Sequence, residues 1–228
     1  MREILVPVAY LGGVAYVRTA KRADEPLNPA NTAQRATFRA LAALCPPAPT
    51  SLANSSGIFL GTDFHGDLAR PGAALYGINP TPGRPNPMQP VVRLSARVIQ
   101  TRGIAPGDAV GYGWSFKATQ PMRLATVAIG YADGCHRVVS NIGQVYAGDI
   151  ALPVVGRVSM DSITVDASGL AEAALAPGDM VDLIGPQQSV DDFAAVAGTI
   201  GYEVLTSLGP RLRRIYAAPA PSRDLVAC

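Results

Sequence analysis

The stretch Asn79–Pro90, NPTPGRPNPMQP, sets five prolines in twelve residues between two segments of different texture. Each proline fixes φ and removes a backbone donor, so neither a helix nor a central strand continues through it. A run this dense reads as a stiff connector, and the domain boundary is placed there. On its N-terminal side, TAQRATFRALAALC (32–45) carries Phe38, Leu41, Ala42 and Cys45 at helical spacing, with Asn31 as the expected N-cap. The break PPAPT follows, then a short run ending in Asn54, Ser55 and Ser56, then the apolar run AALYGI (73–78). Helix, break, strand, loop and strand is the texture of βα units in a parallel sheet, and about two such units fit.

On the C-terminal side the texture changes. VVRLSARVIQTR, RLATVAIGYA, QVYAG, ALPVVGRVSM, SITVD and DMVDLIG are short β-rich runs separated by Gly, Asp-Gly or Pro-Gly signals. That spacing predicts a small β-barrel or another β-rich domain. Ser189 with Asp192 three residues on predicts an N-capped helix over DDFAAVAGTI.

Composition narrows the function classes. The chain has 228 residues, 48% hydrophobic and 16% charged, with a formal net charge of +2. Such a chain builds a sizeable core, and its small charge gives no ground for nucleic-acid or membrane-surface binding. The cluster Arg211, Arg213 and Arg214 reads as a solvated face or a subunit rim. Three cysteines, Cys45, Cys135 and Cys228, lack CxxC spacing. A disulfide framework or zinc site is not expected, and a reducing cytoplasm is the default. His65 and His136 cannot form a metal cluster by themselves. The N-terminal apolar run is interrupted by Glu3, Pro7, Gly12 and Gly13 and followed by Arg18, Lys21 and Arg22, which argues against a secretory leader. It is also too short to span a bilayer as a helix.

Several residues could carry chemistry. Tyr112 stands between glycines in AVGYGWSF, where the backbone turns and leaves the phenol poorly covered. A tyrosine so placed can serve as a general acid or base. Tyr131 and Asp133 lie where an apolar run leaves the core for a loop, and Asp133-Gly134 is also a turn signal. Arg157, Met160 and Asp161 follow an alternating run through Val155 and Val158, which places Met160 in the core by default. Ser55 and the amides around Gly72 and Ala73 could cradle a phosphate. Cys135-His136 has the look of a nucleophile and its base.

Taken in order, ADEPLNPANTAQ, SLANSSG, RPGAALYGINP, GYG, IGYADG, VVGRVSMD and SVDDFAAVAGTIGYEVLTSL resemble the alanine racemase family from about Ala23 to Tyr216. The resemblance implies α/β plus β: a partial TIM-like (β/α) barrel over 23–78, the Pro-rich linker 79–90, and a β-rich, barrel-like C-terminal domain over 91–228. Residues 1–22 read as an unrelated or mis-read segment. It also implies pyridoxal 5'-phosphate as cofactor, an amino-acid substrate, a cytoplasmic setting, and a head-to-tail homodimer in which each C-terminal domain completes its partner's site. On that resemblance Tyr112 is one of two acid/base groups, and Asn54, Ser55, Gly72 and Ala73 surround the phosphate. Arg70 faces the pyridine nitrogen, where a cation disfavours ring protonation. Tyr131 stands at the substrate entrance, Met160 meets the substrate carboxylate through its amide, and Arg157 and Asp161 surround it. Cys135 and His136 match no catalytic role.

The second acid/base group of the family is the lysine that binds the cofactor covalently. The only lysines are Lys21 and Lys117, and neither lies in that motif. Thr19 stands where the histidine before ADEP is expected, Pro210 near a phosphate-binding tyrosine of some members, and Ser159 where some have cysteine. The expectation is an N-terminally truncated racemase, inactive as an isolated chain. The alternative is a non-catalytic interaction domain that pairs with a full-length racemase or a separate barrel fragment.

Overall fold

The structure is a computed structural model and describes residues 28–216. The chain divides between Val91 and Val92 into two compact units. In the first, helix α1 (Pro29–Ala42) begins earlier than its apolar stripe suggests. Asn28, not Asn31, is the cap: its side chain accepts the Ala30 N–H at 2.9 Å, and Pro29 occupies the first helical position. Proline is tolerated there because that amide has no helical partner. Asn31 falls inside the first turn and is buried, while Phe38, Leu41 and Ala42 are half-buried and Cys45 is exposed.

The two short strands expected after α1 are absent among the described residues of this unit. Helix α2 (Ser55–Ile58) and a 3-10 turn (Ala73–Tyr76) stand there instead. Backbone groups in a short apolar run need partners whatever the conformation, and here side chains supply them. The Asn54 side chain accepts the Gly57 N–H at 3.1 Å and the Ser55 hydroxyl oxygen accepts those of Gly72 and Ala74 at 2.9 and 3.2 Å, bending both segments into turns.

The second unit is β-rich. Its strands are β1 (Leu94–Ile104), β2 (Ala109–Val110), β3 (Phe116–Lys117), β4 (Met122–Val127), β5 (Gln144–Ala147), β6 (Ile150–Pro153), β7 (Ile163–Asp166) and β8 (Met180–Ile184). Helices α3 (Val190–Val196) and α4 (Gly201–Ser207) follow. Six strands form one antiparallel sheet in the order β6-β5-β8-β1-β4-β7, and β2 pairs with β3 separately. An antiparallel bridge between Val154, just past β6, and Val165 in β7 joins the two edges, so the sheet closes on itself. Closure removes the exposed edges that an open sheet would leave.

Strand β1 makes closure possible. Its first residues pair with β8 and its last with β4, and the register shifts between Val98 and Gln100 as it passes from one neighbour to the other. A bulge of this kind bends a strand and increases its twist. Leu94, Ala96 and Val98 of β1 join Leu124, Val127, Val145, Leu152, Ile163, Val165, Val181 and Leu183 in the buried core. Each Val, Leu or Ile side chain among them contributes about 1.5–3 kcal/mol of burial free energy. The helix expected after Ser189 forms as α3, with Ser189 Oγ accepting the Asp192 N–H and the Asp192 carboxylate accepting the Ser189 N–H.

Candidate functional site

At one rim of the β unit, three turns are pressed together by glycines. Gly111, Gly113 and Gly156 have φ of 78°, 68° and 80°, in the left-handed region where a side chain is strained. A Cβ on Gly111 would stand 2.8 Å from the Arg157 amide nitrogen, and one on Gly156 would stand 2.9 Å from the Val110 carbonyl oxygen. The two segments therefore touch backbone to backbone. Gly113 lies against the Arg157 guanidinium. Tyr112, held on this turn (Tyr112–Trp114), is 72% exposed, and Trp114 beside it is 81% exposed.

Two polar residues that sequence reasoning passed over fasten this rim. Asn141, itself at φ 62°, accepts the Gly156 N–H at 2.6 Å and donates to the Ser115 carbonyl at 3.4 Å. Ser140 Oγ accepts the Val158 N–H at 3.0 Å. The available signal was Ser-Asn-Ile-Gly, a turn composition that names no partner.

Residues 157–161 are not a strand. The run expected to continue to Met160 ends at Pro153, because Gly156 reverses the backbone and Ser159 N–H then closes a turn on the Ser162 carbonyl at 3.0 Å. Met160 is consequently half-exposed instead of buried. The Tyr131 turn docks directly on it: Tyr131 N–H donates to Ser159 O and Ala132 N–H to Met160 O, both at 3.0 Å. Gly130 permits the approach, since a Cβ there would lie 2.3 Å from Met160 O.

A charged cluster completes this part. Asp133 is buried; its Oδ2 accepts the Gly130 N–H at 3.0 Å and its Oδ1 lies 3.2 Å from Arg211 Nε. Arg211 Nη2 reaches Asp161 at 2.6 Å. The hydrogen bond to Asp161, and then the negative charges of Asp133 and Asp161, push the guanidinium pKa above its ordinary value. Arg211 of the cluster expected to be a solvated face or a subunit rim is therefore engaged within the chain, and Arg214 donates to the Leu208 and Gly209 carbonyls. Cys135 and His136 do not form a nucleophile and base. Burial, with a smaller effect of Asp133, pushes the Cys135 thiol up to about 12, and His136 Nε2 pairs with Ser207 Oγ at 3.2 Å.

In the first unit the buried Ser55 hydroxyl accepts from Gly72 and Ala74, on either side of Ala73, while the neighbouring Asn54 turns its side chain to the Gly57 N–H. With two amides donating to its oxygen, Ser55 retains its own proton to offer a further acceptor. Gly72 opens onto free space, with no atom within 4 Å of an added Cβ. That hydroxyl proton beside an open glycine suits an anionic group such as a phosphate. Arg70 donates to the Ser51 carbonyl at 2.7 Å and to its hydroxyl at 2.5 Å. Arg70 and Asn54 also line a cavity of about 130 Å³ with Asn31, Arg35 and Phe64. Of the two lysines, Lys117 lies on β3 of the other unit and Lys21 lies outside the described residues. The cradle thus fits a phosphate, and the described residues of its own unit include no lysine. No group of three or more His, Cys, Asp or Glu residues that could hold a metal occurs among the described residues, and no described helix is long and apolar enough to cross a membrane.

Comparison with known proteins matches residues 91–216 to the alanine racemase C-terminal domain and residues 12–80 to the alanine racemase N-terminal domain. The chain is similar to a catabolic alanine racemase of Mesorhizobium japonicum, 59% identical over 85% of this chain and 50% of that protein. It is similar to another from Agrobacterium fabrum, 53% identical over 88% of this chain and 52% of that protein. Among solved structures it resembles the Bartonella henselae alanine racemase with covalently bound pyridoxal phosphate, at a TM-score of 0.78 and 47% identity, covering 86% of this chain and 54% of that one. The chain spans about half the length of the curated relatives it matches. The fold class follows from this likeness: part of a TIM-like barrel, then a β-rich, barrel-like C-terminal domain.

Proposed function

Because the chain belongs to the alanine racemase family, we propose that it supplies one part of a pyridoxal-phosphate-dependent racemase interconverting L- and D-alanine in the cytoplasm. The observation that carries this reading is the rim of the β unit, where an exposed Tyr112 is held on a glycine turn locked to Arg157. Inverting an alpha carbon requires a proton acceptor on one face and a proton donor on the other. Tyr112 Oη takes one of these roles by holding or returning the proton. Its exposure suits a group that works in a site completed by a second polypeptide, and Trp114, Val138 and Ile142, all exposed, suit the same contact. Tyr131 and Met160 stand on the docked turns beside it and orient the amino acid, the Met160 amide toward its carboxylate, with Arg157 and Asp161 around it.

Pyridoxal phosphate, when bound, supplies the electron sink that makes alpha-proton removal feasible. Ser55, Gly72 and Ala73 would hold its phosphate, with Asn54 alongside, and Arg70 would face its ring nitrogen. The second acid/base group must come from a lysine that the described residues do not place in the cradle, so turnover requires a lysine-bearing barrel segment.

The test is complementation. The purified chain is mixed with a separately expressed lysine-bearing racemase barrel and pyridoxal phosphate, and D-alanine formed from L-alanine is measured. Turnover is expected from the mixture and not from the chain alone. Tyr112→Phe is expected to lower kcat by about 10²–10⁴-fold, the usual weight of one acid/base group. A mixture that neither associates nor turns over alanine would overturn the reading, as would full activity with Tyr112→Phe.

A further inference from the structure

We propose that Arg211 is a positioning residue that holds the Tyr131 turn and the Met160–Asp161 turn in a single register. The guanidinium spans the two turns: Nε lies 3.2 Å from Asp133 Oδ1 on one, and Nη2 lies 2.6 Å from Asp161 Oδ1 on the other. Asp133 divides its carboxylate between these loyalties, since its second oxygen accepts the Gly130 N–H within its own turn. The turns themselves meet through two backbone hydrogen bonds, Tyr131 to Ser159 and Ala132 to Met160, over a glycine that leaves no room for a side chain. Sliding one turn past the other would stretch both ion pairs and both hydrogen bonds together.

The carboxylates differ in a way that gives Arg211 its leverage. Asp133 is buried, so losing its cation leaves a charge in a poorly solvated place, whereas Asp161 is exposed and water can replace its partner. A lysine would retain the charge but offers a single nitrogen, which cannot reach two carboxylates in the fork geometry of a guanidinium. Arg211 follows α4 on a segment that also bonds the Asp133 turn, Gly209 N–H to Asp133 O at 3.4 Å, so it is carried to the site by the end of the helical pair. It therefore acts on substrate through Tyr131 and Met160. The effect on alanine turnover rests on the racemase reading; the effect on the two turns does not.

Amide hydrogen exchange in the full chain is the direct test. Arg211→Gln should speed exchange at Tyr131 and Ala132 by about tenfold or more, with the β1–β4 amides unchanged as the control for intact folding. Arg211→Lys should resemble Arg211→Gln more than the wild type, and Asp161→Asn, which breaks the exposed pair alone, should give a smaller increase of about threefold. Unchanged protection at Tyr131 and Ala132 in Arg211→Gln would overturn the proposal. In the complemented assembly, Arg211→Gln should raise KM for alanine about tenfold while kcat stays within about twofold. A fall in kcat at constant KM would also overturn it. Absence of turnover by the wild-type assembly would count against the racemase reading alone, and the exchange rates would still decide the role of Arg211.

Discussion

Replacing Gly130 with alanine isolates the docking of the two turns, because the backbone there has φ −146°, which any residue adopts. The whole penalty is therefore steric. The added methyl would lie 2.3 Å from Met160 O and 2.4 Å from Ser159 O, where real Cβ contacts below 3.0 Å are essentially never seen, so the turns must separate by about 0.7 Å. The Tyr131–Ser159 and Ala132–Met160 hydrogen bonds, now 3.0 Å each, would open beyond useful length. Two lost bonds at about 1 kcal/mol each, with overpacking strain of about 1–3 kcal/mol, give a destabilisation of about 3–5 kcal/mol. At an m-value of about 2 kcal/mol/M this lowers the urea midpoint of the β unit by about 1.5–2.5 M, readable by far-UV circular dichroism. Gly169→Ala is the control, since nothing stands within 4 Å of its added Cβ, and its midpoint should hardly move. A Gly130→Ala midpoint equal to wild type would refute the geometry from which the figure is built.

Two further expectations follow from buried chemistry. Burial holds the Cys135 thiol protonated up to about 12 against an ordinary 9.0. The unfolded chain thus ionises first, and stability present below pH ~9 is lost as pH rises toward ~12, about 4 kcal/mol over the whole window. Cys135→Ala should flatten the alkaline limb of a stability-against-pH curve, parallel limbs would contradict it, and at pH 8 the exposed Cys45 should alkylate long before Cys135 in the folded chain. Asp182, buried on β8, is held bidentately by Arg93 at 2.9 and 2.8 Å and by Ser95 Oγ at 2.6 Å. Arg93→Ala leaves that carboxylate underpaired and should cost about 3 kcal/mol in urea unfolding; a cost below about 0.5 kcal/mol would show the pair to be ornamental.

The β unit was legible because its signals are local. Alternating residues in β7 and in the first half of β1 bury every second side chain, Gly148 turns β5 back on β6, and Ser189 with Asp192 caps α3. The first unit misled for the same reason. AALYGI looks like a strand by composition, yet its Ala74 amide is taken by a serine hydroxyl nineteen residues earlier in the chain and those of Leu75, Gly77 and Ile78 by carbonyls of the turn itself. Met160 misled as well, since alternation from Val155 ignores the reversal at Gly156. The motif wording IGYADG and GRVSMD pointed to the family, though it could not say which of its residues touch.

By itself the sequence determined the placement of the Pro-rich break, the β-rich texture beyond it, the cap of α3 and the family, since each is written in residues near one another along the chain. Tertiary structure alone decided that the sheet closes through Val154 and Val165, and that Arg211 reaches back to Asp133 and Asp161. Contacts of that kind depend on how far β1 bends at its bulge and where the strands then deliver their loops. Local preference does not encode that sum. The stretch from Gly130 to Asp161 becomes a site only when closure of the barrel brings two turns within hydrogen-bonding distance, over a glycine chosen for the space it leaves.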